Sequence, residues 1–240
     1  MKLSSRRIRA LARKELREYR RTASIVAAMA VIPLVFLIQP LVVVFALPAA
    51  ASGQLAHEHL LLYLLGIPAL VPALIAAYAV VGERTQGTLE PMLTTPVRRE
   101  EFILGKALAA FLPSMAIAYG VYALFLLVVR LFADPAVAAA LLQWPQIVAQ
   151  VVFTPLTAAW TIWVGLAISS KSNDIRVAQQ FGLLASLPTV LVTSLIAFNV
   201  IAPSSGLTVA LGAVLLCLDA AGWRIVSLTV DRERLITRSP

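Results

Sequence analysis

The stretch ASIVAAMAVIPLVFLIQPLVVVFAL, residues 23–47, contains no charged side chain. As an α-helix rising about 1.5 Å per residue it extends roughly 37 Å, and the hydrocarbon core of a bilayer is about 30 Å thick. It is long enough to cross a membrane with some tilt. The small residues Ala49, Ala50 and Ala51 that follow resemble a cleavage site, but the apolar run is too long for an ordinary signal peptide and more such runs come after it. The segment is therefore read as the first of several spans kept in the mature chain.

Five more apolar stretches follow, at 60–82, 107–129, 144–170, 177–200 and 206–223. Of the 240 residues, 60% are apolar and 13% charged, with a mean hydropathy of +0.88; soluble domains average about 45–50% and about 25%. The charges are gathered into blocks between the apolar runs, which excludes an ordinary soluble core. The expected fold is an all-α membrane protein, one domain over 1–240 with six transmembrane helices. Prolines 33, 40, 68, 72, 113, 155 and 188 fall in or beside these spans; each breaks a helical hydrogen bond, which neighbouring helices or hydroxyl side chains can compensate in a packed bundle.

Lysine and arginine accumulate in cytoplasmic segments. Nine of the twenty lie in 1–22; four more (Arg84, Arg98, Arg99, Lys106) follow the second span, two (Lys171, Arg176) the fourth, and four (Arg224, Arg232, Arg234, Arg238) the sixth. The three opposite loops hold only Arg130. This alternation puts both termini in the cytoplasm and accounts for the net charge of +8 without a nucleic-acid partner. Within the first block, Ile8, Leu11, Glu15, Leu16 and Tyr19 recur at helical spacing, which predicts an amphipathic interfacial helix over 1–22 with its basic residues on anionic headgroups.

The most informative polar stretch runs from Gly82 to Lys106, GERTQGTLEPMLTTPVRREEFILGK. Gly87 permits a turn. Thr88 is placed to cap a short helix over Leu89, Glu90, Pro91, Met92 and Leu93, with Glu90 at its positive end. Thr95 then caps a new helix with Pro96 at its first position, continuing through Arg98, Arg99, Glu100 and Glu101 into the third span. Leu89, Met92 and Leu93 form a contact surface on a cytoplasmic helix held between two spans.

This stretch resembles the permease subunits of ABC-2 type exporters, in which the second span is followed by a pattern close to E-R-E-x-G-T-L-E-x-L-L-x-T-P-V-x-R-x-E-x-x-x-G-K. The chain matches at Glu83, Arg84, Gly87, Thr88, Leu89, Glu90, Leu93, Thr95, Pro96, Val97, Arg99, Glu101, Gly105 and Lys106, and departs at Thr85, where an acidic residue is common. Arg13-Lys14-Glu15-Leu16 and Asp231-Arg232-Glu233-Arg234-Leu235 are also similar to the family. The resemblance implies a permease in a prokaryotic cytoplasmic membrane that pairs with a second permease protomer, identical or paralogous. It also implies that loop 83–106 docks on a separate ATP-binding subunit, which carries the ATP and Mg. The sequence agrees on one point: it has no G-x-x-x-x-G-K-[ST] phosphate loop, so nucleotide chemistry belongs to another polypeptide. Glu83 and Arg84 are expected to brace the end of the second span.

Other polar residues carry two readings each. Gln146, Gln150, Thr154, Thr157 and Thr161 lie on one face of the fourth span; they line a pathway or make interhelical hydrogen bonds, which average about 0.6 kcal/mol in membranes. Asp219, near the end of the sixth span, serves transport or snorkels and pairs with a basic group. His57-Glu58-His59 is read as a solvated loop, since two histidines without further ligands rarely hold a metal. Arg130 and Asp134 are expected to form a surface ion pair, and Cys217 to be a small buried residue. An intramembrane enzyme would need histidine or clustered carboxylates at membrane depth, and neither is present. The remaining alternatives are an ATP-independent carrier or channel, and an ABC membrane subunit used for signalling or assembly.

Overall fold

The computed structural model describes residues 3–46, 60–87, 97–197, 200 and 204–229. Every described element is helical: α1 (Ser5–Tyr19), α2 (Ala23–Ala46), a 3-10 turn (Leu60–Leu65) leading into α3 (Gly66–Thr85), α4 (Arg99–Phe132), α5 (Pro135–Leu141), α6 (Trp144–Lys171), α7 (Ile175–Ala197) and α8 (Ser205–Thr229). Six of these, α2, α3, α4, α6, α7 and α8, are long and apolar enough to cross a membrane.

The spans are not equivalent. In α3 the most apolar window is 89% buried, against 22% in α2 and 11% in α8, so α3 is the axis around which the others pack. Its small residues allow that. A Cβ on Gly165 of α6 would lie 2.7 Å from Ala76 Cβ and 3.0 Å from the Ala73 carbonyl; one on Gly182 of α7 would lie 3.2 Å from Ala77 Cβ. Where lipid is as apolar as leucine, such close backbone approach is what holds helices together. The Ser169 hydroxyl of α6 adds to this, accepting from the Val80 and Val81 amides at 2.9 and 3.0 Å.

Two prolines show how the bundle tolerates them. Pro155 has no N–H to offer the Val151 carbonyl, and the Tyr119 hydroxyl of α4 donates to that carbonyl at 2.9 Å. Pro72 leaves the Pro68 carbonyl without a helical donor in the same way. The Thr161 hydroxyl of α6 stands 3.4 Å from it, sharing its proton with the Thr157 and Ala158 carbonyls of its own helix.

Several local expectations change. The helix entering the third span begins at Arg99, not at Pro96: Val97 and Arg98 are non-helical, and the Glu101 carboxylate accepts the Arg98 amide at 3.1 Å, closing the helix start two turns before residue 107. Asp134 does not pair with Arg130 but caps α5, accepting the Ala136 amide at 2.8 Å; α5 itself was not foreseen. Cys217 is exposed rather than buried, because α8 packs through one stripe and turns its remaining faces outward. That helix runs on to Thr229, so Asp219 lies well inside it rather than near its end.

Candidate functional site

Both ends of the loop 83–106 meet at one end of the bundle, where α1 joins them. Glu83 closes the last turn of α3, Lys106 stands in the second turn of α4, and Lys14 and Glu15 come from α1. Lys106 Nζ lies 3.1 Å from Glu15 Oε1 and 3.0 Å from Glu83 Oε2, with all three side chains at most 2% exposed. It also donates to the Ala79 carbonyl and sits 5.0 Å above the Phe102 ring. Lys14, half-exposed, closes the circuit by donating to Glu83 and pairing with Glu18 at 3.9 Å. One buried lysine thus ties three helices that are far apart in sequence.

A buried charge is costly unless it is paired and hydrogen-bonded, so these four side chains hold one another in place. Burial pushes the Glu15 carboxyl above its usual range, with the Lys106 ammonium only partly offsetting it. For Lys14 burial works toward a lower value, but the hydrogen bond and charge of Glu83 outweigh it and the net direction is upward. Beside the cluster, Tyr19 of α1 packs edge-on against Tyr78 of α3 at 6.4 Å between ring centres, and Gln86 donates to the Tyr78 hydroxyl at 2.6 Å. Gly87 then turns the chain with φ of 68°, a left-handed value suited to glycine.

Two further clasps flank the cluster. Arg84 donates to the Ser170 carbonyl at 3.1 Å, to Asn173 Oδ1 at 3.0 Å and to the Ser172 carbonyl, capping the free carbonyls at the end of α6, where a cation is favoured. On the other side Glu101 accepts the Ser4 amide at 2.8 Å and stands 3.5 Å from Arg7, fastening the start of α1 to the start of α4. The two helices touch closely here: a Cβ on Gly105 would lie 2.7 Å from Leu11 Cβ.

Of the residues singled out in the loop, Glu83, Arg84 and Gly87 are placed as described; Thr88, Leu89, Glu90, Met92, Leu93, Thr95 and Pro96 lie outside the described residues, as do His57, Glu58, His59 and the 231–235 stretch. The structure brings Glu83 together with Lys14, Glu15 and Lys106, a convergence that reading along the chain missed. Its signal was the carboxylate of Glu15 set among Leu11, Leu16 and Tyr19, an acid on an otherwise inward face that requires a buried cation.

The polar face of α6 turns inward as well. Gln146, Gln150, Thr154, Thr157 and Thr161 are all at most 4% exposed, and the contact of Thr161 with Pro68 directs the face toward α3 of the same chain. Both amide atoms of Gln146, Oε1 of Gln150, the Thr157 hydroxyl and Oδ1 of Asp219 are buried without a hydrogen-bond partner among the described residues. Among the described residues no three His, Cys, Asp or Glu side chains gather to hold a metal.

Six spans around a buried axis, with a charged clasp at the base of one loop, describe a multi-pass membrane protein. Residues 9–219 match the family described as ABC-2 family transporter protein, and the chain belongs to that family. It is accordingly a permease of an ABC transporter, a membrane transport component that is not itself catalytic and whose family works with an ABC ATP-binding subunit. No curated protein matches the sequence.

Proposed function

We propose that this chain is one half of the membrane domain of an ATP-driven exporter in a prokaryotic cytoplasmic membrane, working as a homodimer or beside a paralogous permease. In this reading the end of the bundle holding α1 and the loop 83–106 faces the cytoplasm, and the loop is the docking element for a separate ATPase that binds ATP and Mg. The observation that carries it is the Lys106 cluster. A load applied to the loop is passed at once to α3, α4 and α1, because Glu83, Lys106 and Glu15 share one buried ion network. α3 is the most buried span, so its displacement is felt by every helix packed on it. Leu89, Met92 and Leu93 supply the apolar contacts to the ATPase, in the manner of a helix face seated in a partner's groove.

The test is co-expression with the ABC ATP-binding subunits of the same organism, followed by pull-down in detergent. The wild type is expected to retain the ATPase, and a Leu89→Asp, Met92→Asp, Leu93→Asp variant to lose it while inserting normally. Equal retention by the variant would move the docking surface elsewhere; no retention by either chain would overturn the coupled exporter in favour of an autonomous carrier.

A further inference from the structure

Glu83 and Arg84 are neighbours on the last turn of α3, and successive helix positions point about 100° apart. Glu83 meets Lys106 of α4 and Lys14 of α1. Arg84 turns instead to the end of α6: Nη2 donates to the Ser170 carbonyl at 3.1 Å, and Nη1 donates to Asn173 Oδ1 at 3.0 Å and to the Ser172 carbonyl. One turn back along α3, the Val80 and Val81 amides donate to Ser169 Oγ at 2.9 and 3.0 Å. These hydrogen bonds join 80–84 of α3 to the unbroken stretch 169–173.

That stretch leads directly into α7. Asp174 Oδ1 accepts the Arg176 and Val177 amides at 2.7 and 3.1 Å, so the turn between α6 and α7 is tied to the first turn of α7. Ala77 and Val81 of α3 and Ala178 of α7 are fully buried together and pack against Ile168 of α6 and Ile175 of α7. This small cluster is distinct from the main core, to which Tyr19 and Phe102 beside the ion network belong, and Ile175 touches both. The end of α3 therefore has two attachments of different chemistry. One is ionic and leads to α4 and α1; the other places a guanidinium on helix-end carbonyls and leads to α6 and α7.

We infer that Arg84 is the positioning residue of a second coupling branch, which carries displacement of the base of loop 83–106 to the α6–α7 turn independently of the Lys106 network. A rigid planar fork that reaches three acceptors fixes direction as well as distance, which the single ammonium of a lysine does not. Ser169 keeps the two helix ends aligned, so that Arg84 moves the turn with α3 and does not slide past it. The branch presupposes the reading above, in which an ATPase applies its load to loop 83–106.

Hydrogen–deuterium exchange of the complex with its ABC ATP-binding subunit, with and without ATP and vanadate, follows the two branches separately. Backbone amides at 99–106 report the first and those at 168–178 the second. In the wild type both segments should change their exchange on nucleotide trapping. Arg84→Ala should lose the change at 168–178 and keep the one at 99–106. Should that variant fail to assemble, Arg84→Lys decides: it retains a cation at the end of α6 but not the fork, and its response at 168–178 should be diminished with 99–106 unaltered. An Arg84 that merely stabilises the turn would, when replaced, raise exchange at 168–178 equally with and without nucleotide and leave the difference between the two states intact; that result overturns the second branch. Loss of both responses in Arg84→Ala overturns its independence, and a wild type that responds at 99–106 alone overturns the branch while sparing the docking role of the loop. A wild type that forms the complex and responds at neither segment overturns coupling through loop 83–106, and the branch with it.

Discussion

The Lys106 cluster and the polar face of α6 both bury hydrophilic side chains inside one chain, and they are satisfied to different degrees. In the cluster every charge faces an opposite charge drawn from another helix. On α6, Gln146, Gln150 and Thr157 keep buried polar atoms with no hydrogen-bond partner among the described residues. The difference follows from the size of the penalty: an unpaired charge in a low-dielectric interior is far more costly than an unpaired amide or hydroxyl. The first region is over-determined and resists rearrangement. The second is held mainly by helix packing and has hydrogen-bonding capacity to spare.

Lys106→Met gives the contrast its hardest test. It leaves Glu15 and Glu83 buried near each other without their shared cation, and removing one partner of a buried ionic network typically costs about 3–5 kcal/mol. The thermal midpoint of the detergent-solubilised protein should fall sharply, and adding Glu15→Gln with Glu83→Gln should recover most of the loss. An unchanged midpoint in the single variant would mean that the cluster is no tighter than the α6 face.

Replacing Gln146 and Gln150 by leucine should have the opposite sign and a smaller size. Removing buried amide atoms that lack partners relieves a penalty of about 1–3 kcal/mol each at most, so the same melting assay should show no loss, or a gain. A loss comparable to that of Lys106→Met would show that those amides are engaged by a group essential to the fold, and the distinction between the two regions would disappear.

The smallest effect concerns pH. Burial would lower the pKa of Lys14, but the hydrogen bond and charge of Glu83 outweigh it and hold the folded-state value above that of an ordinary lysine, so its contribution is fully present below the ordinary value and is lost as pH climbs through the higher folded one. The difference in melting midpoint between wild type and Lys14→Met should stay constant from about pH 7 to 9 and shrink only in strongly alkaline buffer. A difference that fades already near neutrality would place the Glu83 partnership of Lys14 outside the tight cluster.

The six spans were legible because a membrane helix is a local property: length and lack of charge decide it, whatever surrounds it. Even so, α4 reaches from Arg99 to Phe132, well beyond the apolar 107–129, since a helix continues past the hydrocarbon until a cap or a break stops it. At Pro155 and Pro72 the compensation expected from neighbouring helices or hydroxyl groups takes the form of the Tyr119 and Thr161 hydroxyls at the freed carbonyls. The surface reading of Arg130 with Asp134 failed because an aspartate just before a proline-led helix serves its own backbone first.

What the sequence determined by itself, then, is the number of apolar spans, the turn at Gly87 and the family signature between Glu83 and Lys106, all encoded within some twenty-five neighbouring residues each. Which span becomes the axis was decided only by the tertiary structure, because Gly165 and Gly182 open space against α3 from helices about ninety or more residues further along the chain. The same holds for the meeting of Glu15, Glu83 and Lys106. A charge advertises its need for a partner locally, but the partner's identity depends on which helices pack together, and that is settled by the shapes of their faces.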